Sequence, residues 1–152
     1  MPVLLDEPTL AYLAGVLDYE GVIRVRELPT GTQIPYVGLS GSNAPMLALF
    51  AKHTGTRSVV TRRKYVKAGC NEHCKEKHVH VQSVSGRWSV TGAKATVLLW
   101  NVQPYVRFQT GVLSEALAVG LRAPFKNATV EKMRELGWDV PNARKLKLIE
   151  AN

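Results

Sequence analysis

Cys70, Cys74, His78 and His80 lie within one short stretch of chain, with His73 between them. Two thiolates and two imidazoles make a tetrahedral zinc set. His78 and His80 are two apart, so on a strand their side chains share one face, and Gly69 lets the thiol-bearing loop fold back over it. Four protein ligands leave no open coordination position, so Zn²⁺ held here is structural, fixing the tip of a hairpin, with His73 as the substitute ligand. The plain alternative is a reduced polar loop whose histidines touch phosphate. Glu20 is the second chemical signal. It ends an apolar helical segment, where the helix dipole is negative and an acid is misplaced by about 0.3–1 kcal/mol unless a cation offsets it. Two such helices side by side would bring two carboxylates together, which stay ionised readily only with a metal between them.

The third signal is charge. Arg57, Arg62, Arg63, Lys64, Lys67, Lys75, Lys77 and Arg87 face only Glu72 and Glu76 across residues 57–87. They account for most of the +8 net charge of the 152-residue chain. A concentrated basic segment is the footprint of a polyanion partner, here a nucleic acid. Arg24 and Arg26 alternate with Ile23 and Val25, which gives a strand one basic and one apolar face.

Elements must position these groups. Apolar residues at Leu10, Leu13, Ala14 and Leu17 predict a helix from Thr9, as its N-cap, to Tyr19, with Gly21 as the stop. Strands are predicted at 22–28 and 34–40, with Pro29-Thr30-Gly31-Thr32 as the turn between them. Asn43, Pro45 and Gly55 frame a helix over 44–53. A basic third strand runs over 57–67, with Arg62 and Lys64 on one face and Arg63 and Lys67 on the other. A fourth strand covers 78–83, followed by a Ser85-Gly86 turn and a possible extension over 87–90. Helices follow over 93–102, from Pro104 to Leu121, and over 128–136. Adjacent strand pairs imply an antiparallel sheet with helices on one face and a basic open face. A two-stranded ribbon of this kind fits a DNA major groove.

Composition agrees with a folded domain: 45% apolar and 21% charged residues. No apolar run approaches the ~20 residues of a membrane span, and the first residues lack the pattern of a secretory signal. Two cysteines cannot build a disulfide framework, which implies a reducing, intracellular setting, and the lack of a spanning run implies no membrane partner. A Walker loop and a serine nucleophile elbow are both missing.

The segment Leu13-Ala14-Gly15-Val16-Leu17-Asp18-Tyr19-Glu20-Gly21 resembles the LAGLIDADG motif of the homing endonuclease family. The α-β-β-α-β-β-α order is similar to that family's core. The stretch from Trp88 to Ala93, through Leu98-Leu99 to Pro104-Tyr105-Val106, is similar to its second half. The resemblance covers residues 9–121. It implies an α+β fold: an αββαββα core with an antiparallel saddle sheet over 1–123, and a basic helical tail over 124–152. It implies that paired motif helices, through Leu13, Ala14, Gly15 and Asp18, join two copies into a homodimer that cuts a near-palindromic DNA site. The acid at Glu20 would hold Mg²⁺, while Asp18 would hold the turn. The family often has a Lys where Gln109 stands, supporting the active-site water, and Arg107 is the nearby substitute. Arg24, Arg26, Arg57, Arg62, Arg63, Lys64, Lys67 and Arg87 would contact DNA. The alternative on the same scaffold is a non-cleaving DNA-binding regulator or an RNA-splicing maturase, which Tyr19 and Gln109 favour.

Overall fold

Asp6 sets the start of the first helix. The Asp6 carboxylate accepts the Thr9 N–H at 2.8 Å, satisfying one of the donors that a helix leaves unpaired in its first turn. Helix α1 therefore spans Glu7–Glu20 and begins two residues before the predicted cap at Thr9. Pro8 sits in the first turn, where its missing N–H is no loss. The computed structural model describes residues 3–64 and 82–141, with the backbone alone at 62–64 and 82–84.

Strands β1 (Val22–Glu27) and β2 (Gln33–Gly41) form a hairpin. Helix α2 (Ala44–Thr54) follows, capped by Asn43 and ended by Gly55 in the left-handed region at φ 63°. Strands β3 (Val59–Lys64) and β4 (Gln82–Thr91) complete a four-stranded antiparallel sheet of order β1-β2-β4-β3. Helix α3 (Gly92–Val102), a 3₁₀ turn at Gln103–Tyr105, helix α4 (Thr110–Arg122) and helix α5 (Asn127–Glu135) follow. The fold is α+β, and the described residues follow the predicted order of elements.

The predicted turn at Ser85-Gly86 is not a turn. Both residues lie inside β4, with Gly86 paired to Val60 and to Gly41. A Cβ on Gly86 would lie 2.7 Å from Leu47 Cδ1 and 3.1 Å from the Val59 carbonyl oxygen. The glycine lets α2 and β3 approach the strand closely, the other meaning of a glycine in a strand. Pro104 likewise does not open α4; it lies in the 3₁₀ turn, and α4 starts at Thr110.

The helices cover one sheet face. Ile23, Val37, Leu39, Trp88 and Val90 point from the sheet into a core shared with Leu13, Ala14 and Leu17 of α1, Phe50 of α2 and Leu98 of α3. Trp88 packs tilted against Phe50, ring centroids 5.0 Å apart. Its indole N–H, buried and in need of an acceptor, donates to Thr56 Oγ1 at 2.9 Å. Residues 124–141 pack onto this core. Met133 and Trp138 belong to the same core, and the Trp138 indole N–H donates to the His53 carbonyl at 2.7 Å. Leu5 N–H donates to the Gly137 carbonyl at 2.8 Å, which ties the start of the chain to the same corner.

Candidate functional site

Helix α1 has two faces. Leu13, Ala14 and Leu17 are fully buried inside their own chain. The outer face carries Ala11, Tyr12, Gly15, Val16 and Tyr19, spaced three and four residues apart. Tyr19 is 86% exposed, and beside it Phe108 is 83% exposed. One shallow groove there is lined by Tyr12, Val16, Glu20 and Met46. A second is lined by Ala11, Tyr19, Tyr105 and Phe108, and Gly15 forms the floor of both. Of the four residues predicted to face a second copy, only Gly15 lies on this outer face. Leu13 and Ala14 are core residues, and Asp18 is occupied elsewhere. The motif's apolar spacing encodes packing within the chain, while tyrosines fill the outer stripe.

Asp18 and Gln109 join the end of α1 to the start of α4 in both directions. The Asp18 carboxylate accepts backbone N–H groups from Arg107 at 2.7 Å, Phe108 at 3.0 Å and Gln109 at 2.9 Å. Desolvation is the largest single influence on its carboxyl and pushes the pKa up. The three N–H donors and the Arg107 charge together outweigh it and hold the group below its ordinary value. In return, Gln109 Nε2 donates to the carbonyls of Leu17 at 2.9 Å, Asp18 at 3.2 Å and Gly21 at 3.0 Å. Gln109 therefore holds the last turn of α1, and its amide nitrogen is not free to support a water beside Glu20. Gly21 is not a left-handed cap: its φ is −81°. A Cβ there would lie 2.5 Å from the Leu17 carbonyl oxygen, so close approach to the helix end explains the glycine.

Glu20 projects from this locked turn and is exposed. It lines a cleft with Ser40, Gly41, Ser42, Asn43 and Met46, between the end of α1, the end of β2 and the start of α2. Among the described residues, no three His, Cys, Asp or Glu side chains converge to hold a metal ion. Arg107 is exposed at the rim of the Tyr105–Phe108 groove.

The cleft opens beside the uncovered sheet face. The register puts Val22, Arg24 and Arg26 of β1 in rows with Gly38, Tyr36 and Ile34 of β2. The Gly38 and Tyr36 rows continue to Ser89 and Thr91 of β4, and a neighbouring row runs from Ser40 of β2 through Arg87 of β4 to Val59 of β3. Arg24 and Arg26, expected on the open face, are exposed there, and Arg87 of β4 is exposed on the same face. Arg57 is also exposed, but it precedes β3 and is not part of the sheet. Arg62, Arg63 and Lys64 pair opposite Val84, Ser83 and Gln82 along β3. Lys67 and the zinc set Cys70, Cys74, His78 and His80 lie outside the described residues. The sequence does not single out Tyr12 on the outer stripe, Phe108 beside it, or Tyr36 with Gly38 on the open face, and it marks Tyr19 only as a departure from the motif. Gly38 in mid-strand was the available signal, since glycine there marks a close approach.

No protein-family model and no curated protein matches the chain. Among solved structures, it is similar to an archaeal intron-encoded homing endonuclease, I-Vdi141I, complexed with DNA. The identity is 11% and the TM-score 0.41, over 86% of this chain and 95% of that one. Among the described residues, no helix is long and apolar enough to cross a membrane.

Proposed function

We propose that the chain is a site-specific double-strand DNA endonuclease that acts as a homodimer and uses Mg²⁺. The observation that carries this reading is the place where α1 ends. Glu20 stands at the junction of the open, arginine-bearing sheet face and the exposed aromatic stripe of α1. A surface that binds a phosphate backbone, a surface that binds a second copy and an unlocked carboxylate thus meet at one point.

The stripe supports the dimer. Large exposed aromatic patches mark interaction sites, and Gly15 provides the low point where a second helix backbone can approach. The dimer also completes the donor set. Asp18 uses both carboxylate oxygens on backbone N–H groups, so among the described residues one copy offers Glu20 alone at this cleft, and a second copy brings the second Glu20. A set of carboxylate oxygens fits a hard cation. When bound, such a cation neutralises charge at the scissile phosphate and lowers the pKa of a bound water. The protein's own part is to hold Glu20 in place through Gln109 and Asp18 and to lay the duplex along β1 and β2 with Arg24, Arg26 and Arg87.

One observation favours a non-cleaving DNA-binding protein on the same scaffold. Gln109 stands where the resemblance implies a Lys beside the active-site water, and its amide nitrogen is bonded to backbone carbonyls instead. A cleavage assay separates the two. Duplexes selected by the protein from a random library should be cut in both strands when Mg²⁺ is added. Bound duplex that stays intact under those conditions assigns the protein to the non-cleaving class.

A further inference from the structure

Within the open sheet face, three residues form a stack with no part in the metal site. Gly38 has no Cβ, and the Tyr36 ring lies over it. A Cβ built on Gly38 would sit 2.5 Å from Tyr36 Oη and 2.9 Å from Cε1 and Cζ. The ring therefore lies flat along β2 and covers the glycine, which is buried although it faces the open side. Arg24 is directly opposite Tyr36 in the register. Its guanidinium carbon lies 4.5 Å from the ring centroid. Arg26 and Arg87 share this face, but among the described residues no ring lies under either guanidinium.

We infer that Gly38, Tyr36 and Arg24 make a base-reading element that holds one guanidinium fixed to recognise a guanine in the major groove. The inference rests on the DNA-binding reading above and adds the chemistry of one contact. An arginine that only neutralises phosphate needs charge and reach, and it works better for being mobile. It does not need a glycine cleared beneath a ring, or a ring laid flat beneath its guanidinium. A guanidinium held over a ring is restricted in position while its N–H donors stay available to a ligand. That is the arrangement for two parallel bonds to guanine O6 and N7, the commonest specific arginine contact with DNA. Stacking also removes rotamer freedom before DNA arrives, so less is lost on binding. Arg24 and Tyr36 lie on the β1–β2 hairpin at one edge of the four-stranded sheet, and a pair of antiparallel strands is a shape the major groove admits.

Selection of binding sites from a random duplex library tests this, using the full chain, Arg24→Lys, Gly38→Ala and Tyr36→Leu. The wild type should select guanine at one position per half-site, by roughly five- to a hundredfold over other bases. Arg24→Lys keeps the charge and loses the fork. It should lose that preference while its salt dependence on random duplex stays unchanged. Gly38→Ala removes neither charge nor donor. Its methyl displaces the flexible end of Tyr36, so it should relax the same position and no other. Tyr36→Leu withdraws the ring without crowding the strand and should do the same, which covers a misfolded Gly38→Ala. Unaltered preference in all three variants would overturn the inference, as would a uniform loss over all sequences in Arg24→Lys, the signature of a phosphate contact. A wild-type protein that selects no duplex would instead overturn the DNA-binding reading itself.

Discussion

Asp18 and Glu20 are two residues apart on one helix, yet their surroundings divide them. Asp18 accepts three backbone N–H groups at the entry to α4, while Glu20 lies open to the cleft. The carboxylate of Asp18 is thus a helix-terminus bracket, and Gln109 is its counterpart from the other side. The pKa of Asp18 is lower in the folded chain than in the unfolded one. Its contribution to stability is therefore complete above the unfolded value near 4 and is lost as pH falls through the lower folded value. Urea denaturation at a series of pH values should show the wild type losing stability in acid, with Asp18→Asn losing less over the same window. Equal acid dependence of the two proteins would contradict the bracket. At neutral pH, Asp18→Ala removes the charged acceptor of three backbone N–H groups and should cost about 1–2 kcal/mol, the order of a hydrogen bond to a charged group.

At the scale of elements, α1 both builds the core and presents a surface, and Gly15 separates the two uses. A Cβ on Gly15 would meet nothing within 4 Å in the single chain, and glycine in a helix interior costs about 0.8–1 kcal/mol relative to alanine. Gly15→Leu should therefore leave a folded chain by circular dichroism but turn a dimer into a monomer by light scattering. A folded Gly15→Leu protein that still dimerises would show that the stripe is not the interface. The order of elements was legible because helical and strand periodicities are strong here, and Asn43 with Gly55 framed α2 correctly. Gly86 resembles a turn residue because a sequence does not distinguish a glycine that bends the chain from one that admits Leu47 and a neighbouring strand. The inward direction of Leu13 and Ala14 was hidden for a related reason. Spacing gives a helix face, but only the assembled core decides whether that face meets the chain's own sheet or another copy. Arg24 and Arg26 were placed correctly, since strand alternation leaves two faces and the apolar one must go inward. Gln109 was assigned to the site, but its role depends on carbonyls 88 to 92 positions away in sequence, which no local pattern reveals.

At the scale of the molecule, residues 124–141 close the core at the corner where Leu5 and Gly137 meet. Trp138→Ala should cost about 3–5 kcal/mol in chemical denaturation, as for other buried aromatics, and a value near zero would return this segment to a detachable tail. DNA affinity should fall steeply with salt. If each copy sets four to five basic side chains on phosphates, a dimer neutralises about 8–10, and log K against log salt has a slope of about −7 to −9. A slope near −2 would mean that the open face does not track the backbone. The central claim is that Glu20 serves the reaction and not the affinity. The most direct test is Glu20→Gln on a duplex that the wild type cuts, with binding and cleavage measured in the same Mg²⁺ buffer. The account predicts binding equal to or tighter than wild type, with double-strand cleavage abolished; Mg²⁺-dependent cutting retained by Glu20→Gln would contradict it.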